Sequence, residues 1–168
     1  LVSWKLAMEN KDTPTALILS RQDVPDLPSA SGSRYNDALQ AEKGAYILMK
    51  DETPDVVLVA NGSEVSTLVG AVNILHDKGV RVQIVSAPSI GLFLDQPLSY
   101  RNAVIPPGLP VFGLTAGLPS TLFPLVGSEG KVYGLDHFGY SAPYKVLDEK
   151  LGFTSDNIAR EIIEFVEK

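Results

Sequence analysis

Cysteine is absent from this chain of 168 residues. That excludes disulfides, thiolate nucleophiles and cysteine-ligated metal, and it fits a reducing, cytoplasmic setting. Histidine is scarce, with His76 and His137 alone, and neither a G-x-S-x-G elbow nor an H-E-x-x-H helix is present. Basic charge does not dominate: 14 Lys and Arg stand against 20 Asp and Glu, for a net charge of -6. Nucleic acid is therefore not an expected partner. The apolar runs are too short to cross a bilayer, so no membrane partner is expected. There is no internal repeat. The chain opens Leu1-Val2-Ser3-Trp4, without an initiator methionine and without a charged stretch leading into an apolar signal. A sequence that starts in mid-pattern is expected to be a piece of a longer one.

What is present suits one globular domain with a real core, or one domain plus a fragment of another: 45% hydrophobic and 20% charged residues. Leu1, Val2, Trp4, Leu6 and Met8 read as the end of a helix. Residues 15–20 (TALILS) read as a strand buried on both faces. The stretch 23–37 (DVPDLPSASGSRYND) has the Pro, Ser and Gly content of an interdomain linker, so the domain proper is placed from about Ala38. Short apolar runs then alternate with helical patterns. Strands are expected at 45–49, 56–60, 80–85, 111–114 and 132–135. A helix opens at Gly62-Ser63-Glu64 and ends at Gly79, and the last helix starts near Ser155 with Ile158, Ile162, Phe165 and Val166 on one side. The fold class is α/β: a three-layer sandwich with a mostly parallel five-stranded sheet. A tight hairpin between the first two strands would make the first an antiparallel edge strand.

Four features could carry chemistry. Asn61-Gly62-Ser63-Glu64, between a strand and a helix, could bind phosphate through free N–H groups. The plainer reading is that Ser63 caps the helix and Glu64 complements its dipole. Asp136 and His137 follow another strand, and His137 is weighed as a general base against a loop or interface histidine, which is the stronger reading. Asp156, Glu161, Glu164 and Glu167 read as a solvated helix face, and Asp55 and Asp95 as turn formers. Arg21, just past the apolar run, presents a five-donor fork where parallel sheets bind ligands. Two readings stand: an anion contact, or an ion pair with Asp23, Asp26 or another acid.

Five stretches in order give a resemblance across nearly the whole chain. They are Leu17 to Gln22 with Val24-Pro25; Gly44-Ala45-Tyr46; Pro54 to Val65; Val85-Ser86-Ala87-Pro88-Ser89; and Gly134 to Pro143 (GLDHFGYSAP). Together they resemble the carboxyl-terminal third of transketolase. The resemblance implies a parent enzyme of the pentose phosphate pathway, a cytoplasmic homodimer that moves a two-carbon ketol unit between sugar phosphates. It implies thiamine diphosphate and a divalent metal, Mg or Ca, in that parent. Residues 1–24 would be the last helix and strand of a pyrimidine-binding domain, 25–37 a linker and 38–168 the carboxyl-terminal domain. Arg21 would bind the substrate's phosphate.

No catalytic, cofactor-binding or metal residue is carried over. The family's Gly-Asp-Gly motif, its activating glutamate and its active-site histidines have no match here, so the fragment alone is expected to be inactive, with a structural and dimer-supporting role. The chain also departs from many relatives in having Asn61 for a threonine and Thr115-Ala116-Gly117 for Glu-Ala-Gly. Two alternatives remain. One is a related thiamine enzyme: deoxyxylulose-phosphate synthase, phosphoketolase or dihydroxyacetone synthase. The other is a free-standing anion-binding or regulatory module.

Overall fold

In the computed structural model, which describes residues 1–29 and 31–167 (Arg34 by its backbone alone), five strands form one sheet. They are β1 (Tyr46–Lys50), β2 (Val56–Ala60), β3 (Val82–Ser86), β4 (Val111–Leu114) and β5 (Lys131–Tyr133), in the order β1-β3-β2-β4-β5. Ala30, within the expected linker, and Lys168, at the end of the expected domain, lie outside the described residues. β3, β2, β4 and β5 run parallel, and β1 is antiparallel at the edge.

The antiparallel edge strand is as expected, but the hairpin is not. β1 pairs with β3, Tyr46 opposite Ser86 and Lys50 opposite Gln83, and β2 lies one strand further in. The Pro54 turn carries the chain past β3's place instead of folding it back on β1. β2 can then be covered on both edges and both faces, which suits an uninterrupted VVLVA run.

The helices are α1 (Val2–Glu9), α2 (Arg34–Leu39), α3 (Glu64–Asp77), α4 (Ile90–Leu94), α5 (Leu98–Val104), α6 (Phe123–Val126), α7 (Tyr144–Leu151) and α8 (Ser155–Val166). Alternate residues of β2 separate the two cores. Val56, Leu58 and Ala60 pack with Leu68, Leu75, Ile158 and Ile162 of α3 and α8. Val57 and Val59 pack with Phe93, Val104 and Leu125 from α4, α5 and α6. Each fully buried Val, Leu or Ile contributes roughly 1.5–3 kcal/mol, so these two layers hold the domain. Thr154 caps α8 by accepting a hydrogen bond from the N–H of Asn157 (3.3 Å). Glu161 departs from the expected solvated face: Lys131 of β5 donates to it at 2.5 Å, and both side chains are half-buried. That bond fastens the free edge of the sheet to α8.

The first 24 residues behave differently. α1 buries none of its residues, and Trp4 and Met8 are exposed. Residues 15–20 are extended but belong to no strand, and Ile18 and Leu19 stand 94% and 81% exposed. The expected strand, buried on both faces, is therefore not found. A strand needs a neighbour offering backbone donors and acceptors, and among the described residues none lies beside 15–20. The segment 23–37 is more structured than a plain linker. Leu27 packs on the core, and buried Asp37 accepts hydrogen bonds from the Ser29 hydroxyl (2.8 Å) and the Ser31 N–H (3.3 Å).

Candidate functional site

Because β2, β4 and β5 are parallel, the loops that follow them leave on one edge of the sheet. The connections change direction between β2 and β4, β3 lying on one side of β2 and β4 on the other, and such a switch point is where open α/β sheets place ligands. Three segments meet near this edge: the turn at 20–23, the Asn61-Gly62-Ser63 loop opening α3, and the loop from β5 into α7. Arg21, Gln22 and Asp23 form one wall of a groove of about 830 Å³, and Ser141, Pro143 and Tyr144 line the other.

Arg21 is exposed, and among the described residues it makes no ion pair with Asp23, Asp26 or any other acid. Its side chain lines the groove and brings a five-donor fork to it. Gln22 is half-buried, and its Nε2 donates to Ser63 Oγ at 3.5 Å. Ser63 Oγ in turn donates to Glu64 Oε1 at 2.7 Å. Ser63 thus occupies the position before α3 without capping it, contrary to the sequence reading. Its backbone is already helical (φ -63, ψ -29), which turns the hydroxyl away from the first-turn N–H groups. Sequence reasoning found Arg21 and Ser63 separately. It missed that Gln22 joins them and that Ser141 and Tyr144 face Arg21, because those pairings span 41 residues and more.

The other candidates lie apart from one another. Asp136 and His137 sit on an exposed loop, where His137 Nδ1 bonds the Phe138 carbonyl (2.8 Å) and the ring lies tilted against Tyr140 with centroids 5.5 Å apart. A ring nitrogen facing a carbonyl carries the proton, so Nδ1 is the donor. His137 thus lies on a loop, outside the groove's lining residues.

At the opposite, amino edge of the parallel strands, His76 of α3 pairs with Asp51 (2.8 Å), which also accepts from the Val82 N–H (2.6 Å). Asp55, expected to be a turn former, carries an ion pair as well. Arg81 grips it through Nη2 (2.8 Å), Nε (3.1 Å) and its own N–H (2.9 Å), and Arg81 Nη1 also donates to Thr53 Oγ1.

These contacts shift both carboxyls. Burial opposes ionisation of Asp51, but the Val82 N–H, the His76 hydrogen bond and the charges of His76 and Arg81 outweigh it and hold Asp51 below its ordinary value. The Arg81 side chain, then its N–H, hold Asp55 below its ordinary value too. Folded values below the unfolded one mean that this stability is fully present above about pH 4 and is lost as pH falls through the lower folded values. Asp51→Ala is expected to cost about 1–2 kcal/mol at neutral pH and to flatten the acid limb of stability, read by urea unfolding from pH 7 to pH 2. An acid limb as steep as the parent's would show that Asp51 does not contribute.

Among the described residues no three His, Asp or Glu side chains come together as a metal site, and no helix is long and apolar enough to cross a membrane. Ser141 and Tyr144 offer hydroxyls to the groove, and Arg21 offers charge. The arrangement can hold an anion. Asp23 sets a carboxylate beside Arg21 in the same wall.

A three-layer α/β domain with a mostly parallel five-stranded sheet and one antiparallel edge strand is the class that this structure defines. Residues 44–154 match the transketolase-like C-terminal domain, and the chain belongs to the transketolase family. It is 40% identical over 164 residues to a transketolase of Aquifex aeolicus, covering 96% of this chain and 23% of that protein. It is 39% identical over 161 residues to a transketolase of Geobacillus stearothermophilus, covering 94% and 24%. Among solved structures, a Pichia stipitis transketolase in complex with sedoheptulose 7-phosphate superposes with a TM-score of 0.88 at 29% identity, covering 99% of this chain and 23% of that one. The chain spans about a quarter of the length of these relatives. The resemblance read from the five motifs and the mostly parallel five-stranded sheet are both borne out.

The residues here do not fit the diphosphate and metal of a thiamine cofactor. The Gly-Asp-Gly motif is missing from the sequence, and among the described residues no three His, Asp or Glu side chains gather to hold a metal.

Proposed function

We propose that this chain is the carboxyl-terminal part of a transketolase, contributing structure and one substrate contact to a parent that transfers a two-carbon ketol unit between sugar phosphates. The observation that carries this reading is the apolar, extended segment 15–20 that ends at Arg21 and pairs with no strand among the described residues. Such a segment has the character of a strand whose sheet lies elsewhere in a longer protein. On this reading residues 1–24 close a pyrimidine-binding domain, 25–37 link, and 38–168 form the carboxyl-terminal domain.

Arg21 then stands where one domain's sheet ends and the next domain's carboxyl edge begins. It holds the phosphate of the sugar through two charge-assisted N–H···O bonds and so fixes which way the sugar points. Phosphate is the ligand whose charge and bidentate geometry its fork matches, and the Pichia stipitis relative is named as a complex with a sugar phosphate. Thiamine diphosphate, the metal and the groups that act on the carbonyl come from the rest of the parent, a cytoplasmic homodimer of the pentose phosphate pathway. This chain alone does not turn over substrate.

An assay with thiamine diphosphate, Mg²⁺ and a phosphorylated ketose and aldose tests the reading. The isolated chain is expected to give no transfer, and the polypeptide joining it to the missing three quarters is expected to give it. Turnover by the isolated chain would overturn the fragment reading. Silence from the joined polypeptide would overturn the transketolase reading.

A further inference from the structure

Arg21 lies in a segment with little to hold it. Among the described residues, 15–23 make no backbone hydrogen bond to the sheet. A long side chain on such a segment loses rotamer and backbone freedom when it grips a ligand, so whatever fixes the segment beforehand raises affinity.

The neighbouring residue supplies a tether. Gln22 Nε2 reaches Ser63 Oγ at 3.5 Å across 41 residues of sequence, and Ser63 Oγ reaches Glu64 Oε1 at 2.7 Å. The direction of these bonds is forced. An ionised carboxylate only accepts, so Ser63 gives its one proton to Glu64 and presents a lone pair to Gln22. The Gln22 amide must therefore turn its NH₂ toward Ser63. The anchor is also stiff: Ser63 opens α3 directly behind β2, every residue of which is buried. A half-buried side chain beside Arg21 thus reaches an anchor next to the central strand of the sheet.

We propose that Gln22 is a positioning residue for Arg21, with Ser63 and Glu64 as its anchor, so that the α/β domain itself sets the affinity of the neighbouring sugar-phosphate contact. This rests on the reading of Arg21 as that contact. Gln22 touches no reacting atom. It acts by keeping the Arg21 fork where a phosphate arrives.

Steady-state kinetics on the full-length enzyme containing this chain test the proposal, with one phosphorylated and one unphosphorylated ketose donor. Gln22→Ala and Ser63→Ala are each expected to raise KM for the phosphorylated donor about fivefold, the factor that one neutral hydrogen bond is worth. kcat, and KM for the unphosphorylated donor, should hardly move. The double variant should be no worse than either single one, because both break the same link. Gln22→Met, which keeps length and removes the donor, should behave as Gln22→Ala does. Gln22→Glu should be worse than both, since it sets a carboxylate against Glu64.

If Arg21→Ala raises KM for the phosphorylated donor while Gln22→Ala and Ser63→Ala leave it unchanged, the tether is overturned and the phosphate contact stands. If Arg21→Ala also changes nothing, both fall. Effects that multiply in the double variant, or a rise in KM for both donors alike, would likewise overturn the tether.

Discussion

Replacing Arg21 by alanine in the full-length enzyme is expected to weaken the use of phosphorylated sugars by about 1.5–3 kcal/mol, a tenfold to hundredfold rise in KM. The size follows from charge-assisted hydrogen bonds between a guanidinium and a phosphate, which are about twice as strong as neutral ones. The effect should be selective, because an unphosphorylated sugar never makes these bonds. Arg21→Lys should recover only part of the loss: it restores a charge but not the planar fork. Measuring KM for paired phosphorylated and unphosphorylated donors decides the matter. Equal losses for both would mean that Arg21 supports the site's shape and does not contact phosphate. The exposed side chain, free of ion pairs among the described residues, makes that second outcome the less expected one.

The largest effect on stability is expected from Gly44→Ala. Gly44 ends a 3₁₀ turn (Gln40–Lys43) with φ +86 and ψ -35, a backbone that residues with a Cβ rarely adopt. It is also crowded. A Cβ there would sit 2.8 Å from the carbonyl carbon of Leu92 and closer still to Phe93 N and Ser89 O. Those are backbone atoms of the α4 entry, held by the bond from Ser89 N–H to Gly44 O (2.9 Å), so they cannot swing away as a side chain would. Strain and overpacking together are expected to cost about 2–6 kcal/mol, a large share of the roughly 5–15 kcal/mol that holds an ordinary domain.

Gly108→Ala provides the comparison. It also has positive φ, +89, but nothing within 4 Å of a built Cβ, so it should lose only the smaller conformational part, about 1 kcal/mol. Thermal or urea unfolding of the two variants separates the terms. Equal losses would show that crowding at Gly44 does not matter. Gly44 opens the Gly-Ala-Tyr stretch among the motifs that carried the family resemblance, and its place in the fold explains why glycine stands there.

Much of the core was legible in the residues. Val56–Ala60 and Val111–Leu114 form strands as read, because an unbroken apolar run between turn residues suits a strand covered on both faces. α8 was readable from Ile158 and Ile162, which are indeed buried. The expected strand at 80–85 begins two residues late, since Arg81 is given over to gripping Asp55 at the sheet's amino edge. The short helices α4, α5 and α6 went unnamed, because segments of four to seven residues show too little of a 3.6-residue period to stand out.

The site was legible only in part. Arg21 stood out by its place after TALIL and by the family motif, and its neighbours did not. Ser63 was read as a cap because local chemistry favours that role before a helix. A partner 41 residues away and a backbone already helical took the hydroxyl elsewhere. Glu161 looked solvated by its spacing, yet Lys131 reaches it from the edge strand.

The sequence by itself determined the class, the parallel core strands and the family, since these rest on local periodicity and on motifs in fixed order. Only the tertiary structure decided which strand β1 joins, that residues 15–20 find no partner among the described residues, and that Arg21 and Gln22 meet the carboxyl edge of a sheet to which they do not belong. Those outcomes depend on contacts between distant segments, whose energies no local pattern encodes.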